Sequence, residues 1–327
     1  MSNIMINEVC NQRCSYCFAS EFVNKKRNDM SFLNFKKAVD FICTAKQFNR
    51  VGVIGGEPLL HPQFDKFISY LENNEKVKRF VVFTNGVFLL DHKKCIESKK
   101  VGILINVNSP LEVGENNYKK TVEAIDYIVN NDDINKLTIG LNIFSPDLDY
   151  SFFTSLAEKY DFKMVRLSIV VPAYDKEKNG LLHFYRLKQK TLEIVKKLLV
   201  KGTAFNFDCN VPVRCLWDDE ELEDLKLMGL TGDKKRLIPI EESLCHPVID
   251  ILPDLTAIRC FGLSDKTKVS IRKFKTIDDL RDYYVKHFDE DLSKNPLDDK
   301  CLTCEMFAKK CYGGCLANRR AKNEETK

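Results

Sequence analysis

Strand-length apolar runs alternate with helical patterns over roughly the first two hundred residues, and this alternation limits the fold more than any other feature. Residues 4–9, 50–54, 79–83, 102–107, 137–144 and 164–171 read as strands. Between and after them, 31–48, 62–71, 92–98, 118–130, 152–160 and 181–199 read as helices. In the first of these, Phe32, Phe35, Ala38, Val39, Ile42 and Cys43 recur at helical spacing. Such alternation predicts an α/β fold, a parallel sheet with helical crossovers. Six units make either an open doubly wound sheet or an incomplete barrel, and in both the ligands bind beyond the C-terminal ends of the strands. The pattern breaks after about residue 202. Residues 208–235 are acidic, with one helix expected near 218–227, and from 243 onward cysteines dominate. A region with so little core needs metal sites to supply folding energy.

Charge and hydropathy exclude some functions. The 51 basic and 47 acidic residues leave a net charge of +4, which argues against a nucleic-acid binder. No apolar run reaches the ~18 residues of a membrane span. The N-terminus lacks the charged and apolar regions of a secretory signal, so a cytoplasmic, reducing location is expected. Thirteen cysteines, an odd number, fit a closed disulfide framework poorly. Clustered cysteines in a reducing compartment bind metal or do redox chemistry.

Cys10, Cys14 and Cys17 follow the first strand as CxxxCxxC. Three thiols are one short of a closed tetrahedral zinc site. A four-iron cluster held by three thiolates leaves one iron open, whereas a zinc or oxidation-sensor loop would need a distant fourth residue. Gly55-Gly56-Glu57-Pro58 follows the second strand and Thr84-Asn85-Gly86 the third. With Tyr16 just before Cys17, this ordered set resembles the radical S-adenosylmethionine (SAM) superfamily. The resemblance covers the first ~90 residues and implies a partial (β/α)6 TIM-type barrel over 1–201. It further implies a SAM-binding 4Fe–4S cluster on Cys10, Cys14 and Cys17, and SAM contacts from Tyr16, Gly55, Gly56, Glu57, Pro58 and Asn85. Glu57 would meet the methionine ammonium, and one-electron cleavage of SAM would give a 5′-deoxyadenosyl radical. The family's Ser and Asp-Gly after the fourth strand are replaced here by residues 105–110, where Asn106 would take up the SAM contact. Arg166 on the sixth strand would reach the SAM carboxylate.

Cys245, Cys260, Cys301, Cys304, Cys311 and Cys315 form a second array, with CxxC and CxxxC spacings that also suit a zinc ribbon. It resembles the C-terminal SPASM extension of radical SAM enzymes, so 243–327 is expected to be a cysteine-rich domain with one or two auxiliary 4Fe–4S clusters, joined by a connecting segment, 202–242. Two positions depart from that pattern: Leu255 stands where a glycine is usual, and the last cysteine, expected after Cys315, is missing. Cys209 and Cys215 in the connecting segment bring the thiols to eight. By the resemblance Cys245, Cys260 and Cys315 serve a nearer cluster with Cys215 as fourth ligand, and Cys301, Cys304 and Cys311 an outer one. Cys209 or Cys215 would otherwise donate a hydrogen atom. Cys43 and Cys95 fall on helices and read as core. His61, His246 and Trp217 read as structural.

The resemblance points to a peptide or protein substrate, modified oxidatively or crosslinked, with flavodoxin or ferredoxin as electron donor. No separate N-terminal peptide-recognition domain is expected before Cys10. Sulfatase maturation, a small-molecule dehydrogenase or epimerase, and a non-enzymatic zinc scaffold or redox sensor are the alternatives.

Overall fold

The structure is a computed structural model. It describes residues 2–47, 50–131, 133–170, 180–207, 213–223, 244–294, 296 and 298–319, the side chains of 180–184, 318 and 319 excepted. The main elements run β1 (Ser2–Met5), α1 (Phe32–Ile42), β2 (Arg50–Ile54), α2 (Phe64–Asn73), β3 (Arg79–Thr84), α3 (Lys93–Glu97), β4 (Val101–Asn106), α4 (Pro110–Val113), α5 (Glu115–Asn131), β5 (Leu137–Ile143), α6 (Ser151–Lys159), β6 (Met164–Ile169), α7 (Gly180–Val200) and β7 (Ala204–Phe207), then the short strands β8 (Asp250–Ile251), β9 (Thr256–Ile258) and β10 (Val269–Ser270). The α/β alternation is the one the apolar periodicity predicts. The chain divides into two compact units, Met1–Thr138 with Pro247–Phe288, and Ile139–His246 with Asp289–Lys327.

In the first unit β1, β2, β3 and β4 pair in parallel in that order. Their residues are almost continuously buried, as parallel strands covered on both faces must be. Met5 lies opposite Ile54 and Thr84 opposite Ile105, so the strands end level and their following loops meet along one edge. Phe35 of α1 and Phe67 of α2 stack at 4.2 Å and fasten the two helices. Helix α1 starts where Ser31 accepts a hydrogen bond from Asn34 N. It ends at Ile42, earlier than its periodicity suggests. There the Thr44 hydroxyl bonds the Phe41 carbonyl, competing with the helical ladder.

The late strands escape sequence periodicity because two or three residues carry no period. Strand β8 pairs in parallel with β1, on the side away from β2, and β9 and β10 extend it antiparallel. The β1–β8 contact is held by Asn3 Nδ2, which donates to Asp250 Oδ1 at 2.7 Å. Leu255, where a glycine is usual, has φ +70° in the turn between β8 and β9. Left-handed backbone costs a leucine about 1–2 kcal/mol. Its side chain is buried, however, and a buried leucine contributes more than that.

In the second unit β5, β6 and β7 pair in parallel. Helix α6 buries Phe153, Leu156 and Ala157, while α7 buries Leu187, Ile194, Val195 and Leu198. Among the described residues no helix is long and apolar enough to cross a membrane.

Leu255→Gly removes both the backbone strain and the buried side chain. It is expected to destabilise the first unit by about 1–3 kcal/mol, the loss of packing outweighing the relief. A lowered urea midpoint checks this; a raised one would mean that strain dominates.

Candidate cofactor site

The loop after β1 is fastened to the end of β2 by two backbone hydrogen bonds and one from a side chain. Gly56 N donates to Asn7 O at 3.0 Å and Glu57 N to Val9 O at 2.7 Å, while Asn7 Nδ2 donates to Glu57 O at 2.9 Å. The approach is so close that a Cβ on Gly56 would stand 2.5 Å from the Val9 carbonyl oxygen and 3.0 Å from Cys10 N. A Cβ on Gly55 would stand 2.3 Å from Asn7 Oδ1. Gly56 is therefore required by backbone contact with the cysteine loop, whereas at Gly55 the end of the Asn7 side chain would have to turn aside.

The loop itself places three half-buried thiols together. Cys17 N donates to Cys14 O, closing a turn, and Gln12 N donates to Cys10 Sγ at 3.4 Å. Cys10 N is held by Asn24 Oδ1. Burial pushes the Cys10 thiol up to about 11, with Glu57 and Cys17 adding to the rise. Burial pushes Cys14 up to about 12, reinforced by Cys10 and Cys17, and raises Cys17 as well. The thiols thus act on one another. Among the described residues no three His, Cys, Asp or Glu side chains close to single-ion spacing.

Glu57 is buried and hydrogen-bonded through both carboxylate oxygens. Its carboxylate accepts from Thr84 Oγ1 at 2.7 Å, Asn85 N at 2.8 Å and Leu59 N at 3.2 Å. Burial raises its pKa to about 7 against those three hydrogen bonds. Glu57 therefore ties the β2 end to the β3 end, and Pro58 begins the short turn it caps. Asn85 Nδ2 reaches back to Asn11 Oδ1 at 2.8 Å, while the Thr121 hydroxyl holds the Asn85 carbonyl. Gly86 turns away with φ +82°.

Asn108, passed over in the sequence reading in favour of Asn106, joins the loop from the β4 side. Its Nδ2 donates to Gln12 Oε1 at 3.3 Å and to Cys14 Sγ at 3.6 Å, and its Oδ1 accepts from the Tyr16 hydroxyl. Asn7, Asn11, Gln12 and Asn108 were all missed; their one signal was position beside the motifs. Asn106 is the half-buried last residue of β4. Arg166 lies in the second unit, where it donates to Asn142 Oδ1 at 2.9 Å. His61 is structural: its Nδ1 accepts from Gln63 N and its Nε2 donates to Met30 O, and burial keeps it neutral. Cys95 is buried and Cys43 caps α1.

Late residues of the first unit pack under the same loop. Phe261, next to Cys260, meets Phe18 and Phe22 at 5.0 and 5.8 Å, and Ser264 donates to Glu21. Cys260 Sγ accepts from the buried Arg259 at 3.7 Å. Cys245, Cys301, Cys304, Cys311 and Cys315 belong to the second unit, as does Cys215. The resemblance to the SPASM extension groups Cys215 with Cys245, Cys260 and Cys315. The thiols that act on it in the structure are Cys301, Cys311 and Cys304. Cys209 lies outside the described residues.

Two outcomes test this geometry. Gly56→Ala is expected to cost about 2–4 kcal/mol, because backbone atoms must move apart; an unchanged unfolding midpoint would refute the contact. Alkylation reads the thiols, since the thiolate is the reactive form. In metal-free protein at pH 8, Cys10 is expected to react about a hundredfold more slowly than an ordinary thiol near 8.5, speeding up about tenfold per pH unit to pH 10. Fast, pH-independent labelling would overturn the raised pKa.

The radical SAM superfamily model matches residues 4–141, which hold all three motifs. Among curated proteins, GTP 3′,8-cyclase of Alkaliphilus oremlandii is 29% identical over 112 residues, covering 33% of this chain and 35% of that protein. The chain thus matches about a third of that relative's length. Among solved structures, Streptococcus suis SuiB bound to precursor peptide SuiA has a TM-score of 0.64 at 15% identity, covering 97% of this chain and 71% of that one. The anSMEcpe structure with AdoMet and Kp18Cys peptide has 0.64 at 17%, covering 96% and 88%. These likenesses identify the fold as a partial TIM-type (β/α)6 barrel with a cysteine-rich C-terminal region. Residues 4–141, with their cysteine loop, GGEP turn and TNG turn at adjoining strand ends, are the part of the chain that matches the radical SAM superfamily.

Proposed function

We propose that the chain is a radical SAM enzyme that binds a 4Fe–4S cluster and SAM at the edge formed by the β1–β4 loops. The observation that carries this reading is the fastening of the cysteine loop onto Gly55–Glu57, which sets three thiols beside a backbone too close for any side chain. The residues suit the group. Cys10, Cys14 and Cys17 would hold the cluster and leave one iron open. Asn11 Nδ2 and Asn7 Oδ1 are buried there without hydrogen-bond partners, polar atoms that a polar ligand would satisfy. When bound, the cluster and SAM together supply a 5′-deoxyadenosyl radical. Glu57 holds the Thr84–Asn85 turn in place, Asn108 orients Tyr16 and Cys14, and the buried edge keeps water from the ligand. Gly55 and Gly56 admit SAM close to the backbone.

The substrate is proposed to be a peptide or protein, modified oxidatively or crosslinked. Support comes from the two peptide-bound structures whose fold this chain shares over nearly its whole length. Electrons would come from a flavodoxin or ferredoxin. Sulfatase maturation is one form of this reading. A nucleotide or other small molecule is the second reading, favoured by the sequence likeness to GTP 3′,8-cyclase.

Anaerobic reconstitution with iron and sulfide, followed by SAM and dithionite, tests the proposal. The wild type is expected to form 5′-deoxyadenosine, and the Cys10/Cys14/Cys17→Ala variant to lose at least about a hundredfold, because the cluster has lost its ligands. Equal product from both would refute it. Stimulation by candidate peptides supports the first substrate reading, and stimulation by GTP the second.

A further inference from the structure

The segment after β4 grips the cysteine loop at Gln12, Cys14, Ser15 and Tyr16, and what it presents to the Cys14 sulfur is a hydrogen-bond donor. Asn108 Nδ2 donates to Gln12 Oε1 at 3.3 Å and to Cys14 Sγ at 3.6 Å, and Asn108 Oδ1 accepts from the Tyr16 hydroxyl. Four residues on, Glu112 Oε1 accepts from Ser15 Oγ at 2.9 Å. Glu112 is itself set by the start of α4, where Ser109 Oγ accepts from Glu112 N at 3.3 Å. All of these residues belong to the first unit, so Cys14 is held on both sides from one strand end.

The direction of the Asn108 amide follows from its partners. A primary amide carries two N–H donors on its nitrogen and an acceptor oxygen. Here the nitrogen has two acceptors, the oxygen has one donor, and the group is buried. The reversed amide would set Oδ1 against the Gln12 oxygen and the sulfur, two acceptors without a proton between them. In the protein without metal, the Cys14 thiol donates to Gln12 Oε1 at 3.7 Å. A cysteine that ligates a metal has lost that proton and becomes an acceptor only. The Asn108 N–H then stays on the Cys14 sulfur, as Gln12 N, at 3.4 Å, stays on the Cys10 sulfur. An ionised aspartate in the place of Asn108 would fit the space but offer no donor.

A hydrogen bond is stronger when its acceptor is charged. A one-electron reduction of an iron–sulfur centre adds negative charge that its thiolate ligands share, so a donor on a ligand sulfur favours the reduced form. Hydrogen bonds to the sulfurs are among the factors that set the potential of such a centre.

We propose that Asn108 is a positioning residue that keeps a hydrogen bond on the Cys14 thiolate of the 4Fe–4S site and so raises the reduction potential of that site. Gln12 and the Tyr16 hydroxyl hold the amide in the donating direction. The inference rests on the radical SAM reading of the same site and adds a control on how readily it accepts an electron. One electron enters and no proton moves, since the amide N–H remains on Asn108.

The test is a dithionite titration of the reconstituted full chain without SAM, read from the electron paramagnetic resonance of the reduced cluster. The signal scored is the one missing from the Cys10/Cys14/Cys17→Ala variant, which keeps any other cluster out of the reading. Asn108→Ala is expected to disfavour reduction about tenfold, a fall of about 59 mV for one electron. Asn108→Asp keeps the shape and the acceptor for Tyr16, but loses the donor and adds a charge. At about pH 8.5, where that carboxyl is ionised, it should lower the potential further than alanine does. Iron and sulfide per chain show that each variant still assembles the cluster. If the alanine variant does not fold, the isosteric aspartate variant decides alone. A potential equal to or above that of the wild type in the variants that assemble the cluster would overturn the proposal and leave the radical SAM reading standing. A wild type that holds no iron on Cys10, Cys14 and Cys17 would overturn both.

Discussion

The backbone contact between the cysteine loop and the end of β2 supports everything else at the candidate site. Two N–H groups of Gly56 and Glu57 bond carbonyls of Asn7 and Val9, and Asn7 returns a side-chain bond. Only a strand end without side chains can lie this close to the loop. The contact fixes where Cys10 starts, and therefore where the three thiols stand. It also sets the Glu57 carboxylate inside the protein, where ionisation is unfavourable unless donors surround it.

Those donors link the strand ends in series. Glu57 takes the Thr84 hydroxyl and the Asn85 amide; Asn85 reaches Asn11 in the cysteine loop; Asn108, after β4, bonds Gln12, Tyr16 and the Cys14 sulfur. Buried polar groups must be satisfied, and each of these is satisfied by a residue from a different strand end. The arrangement rigidifies a loop that has no regular secondary structure. It also leaves Asn7 Oδ1 and Asn11 Nδ2 unpaired at the place where a ligand is proposed.

The late segment 247–288 contributes to the same unit although it is distant in sequence. Strand β8 lies beside β1, and Phe261 packs on Phe18 and Phe22 of the cysteine loop. Leu255 shows how such a segment compromises: its turn calls for a glycine backbone while its place in the core calls for a leucine side chain. Burial prevails because removing a leucine from a packed core costs more than one left-handed residue.

Apolar periodicity alone gives the strand–helix alternation of the first two hundred residues, since period is a local property that a sequence states outright. The spacing of Cys10, Cys14 and Cys17, with Gly55–Glu57 and Thr84–Gly86, likewise singles out the candidate site, because those residues cluster in short segments at successive strand ends. What the sequence does not state is which distant groups meet. The bonds of Asn108 to Gln12, Tyr16 and Cys14, the engagement of Glu57 by Thr84 and Asn85, and the seating of β8 against β1 all depend on strand register and on helix packing. Contacts across such sequence separations are decided by burial and hydrogen-bond satisfaction in the folded chain, and no local pattern carries them.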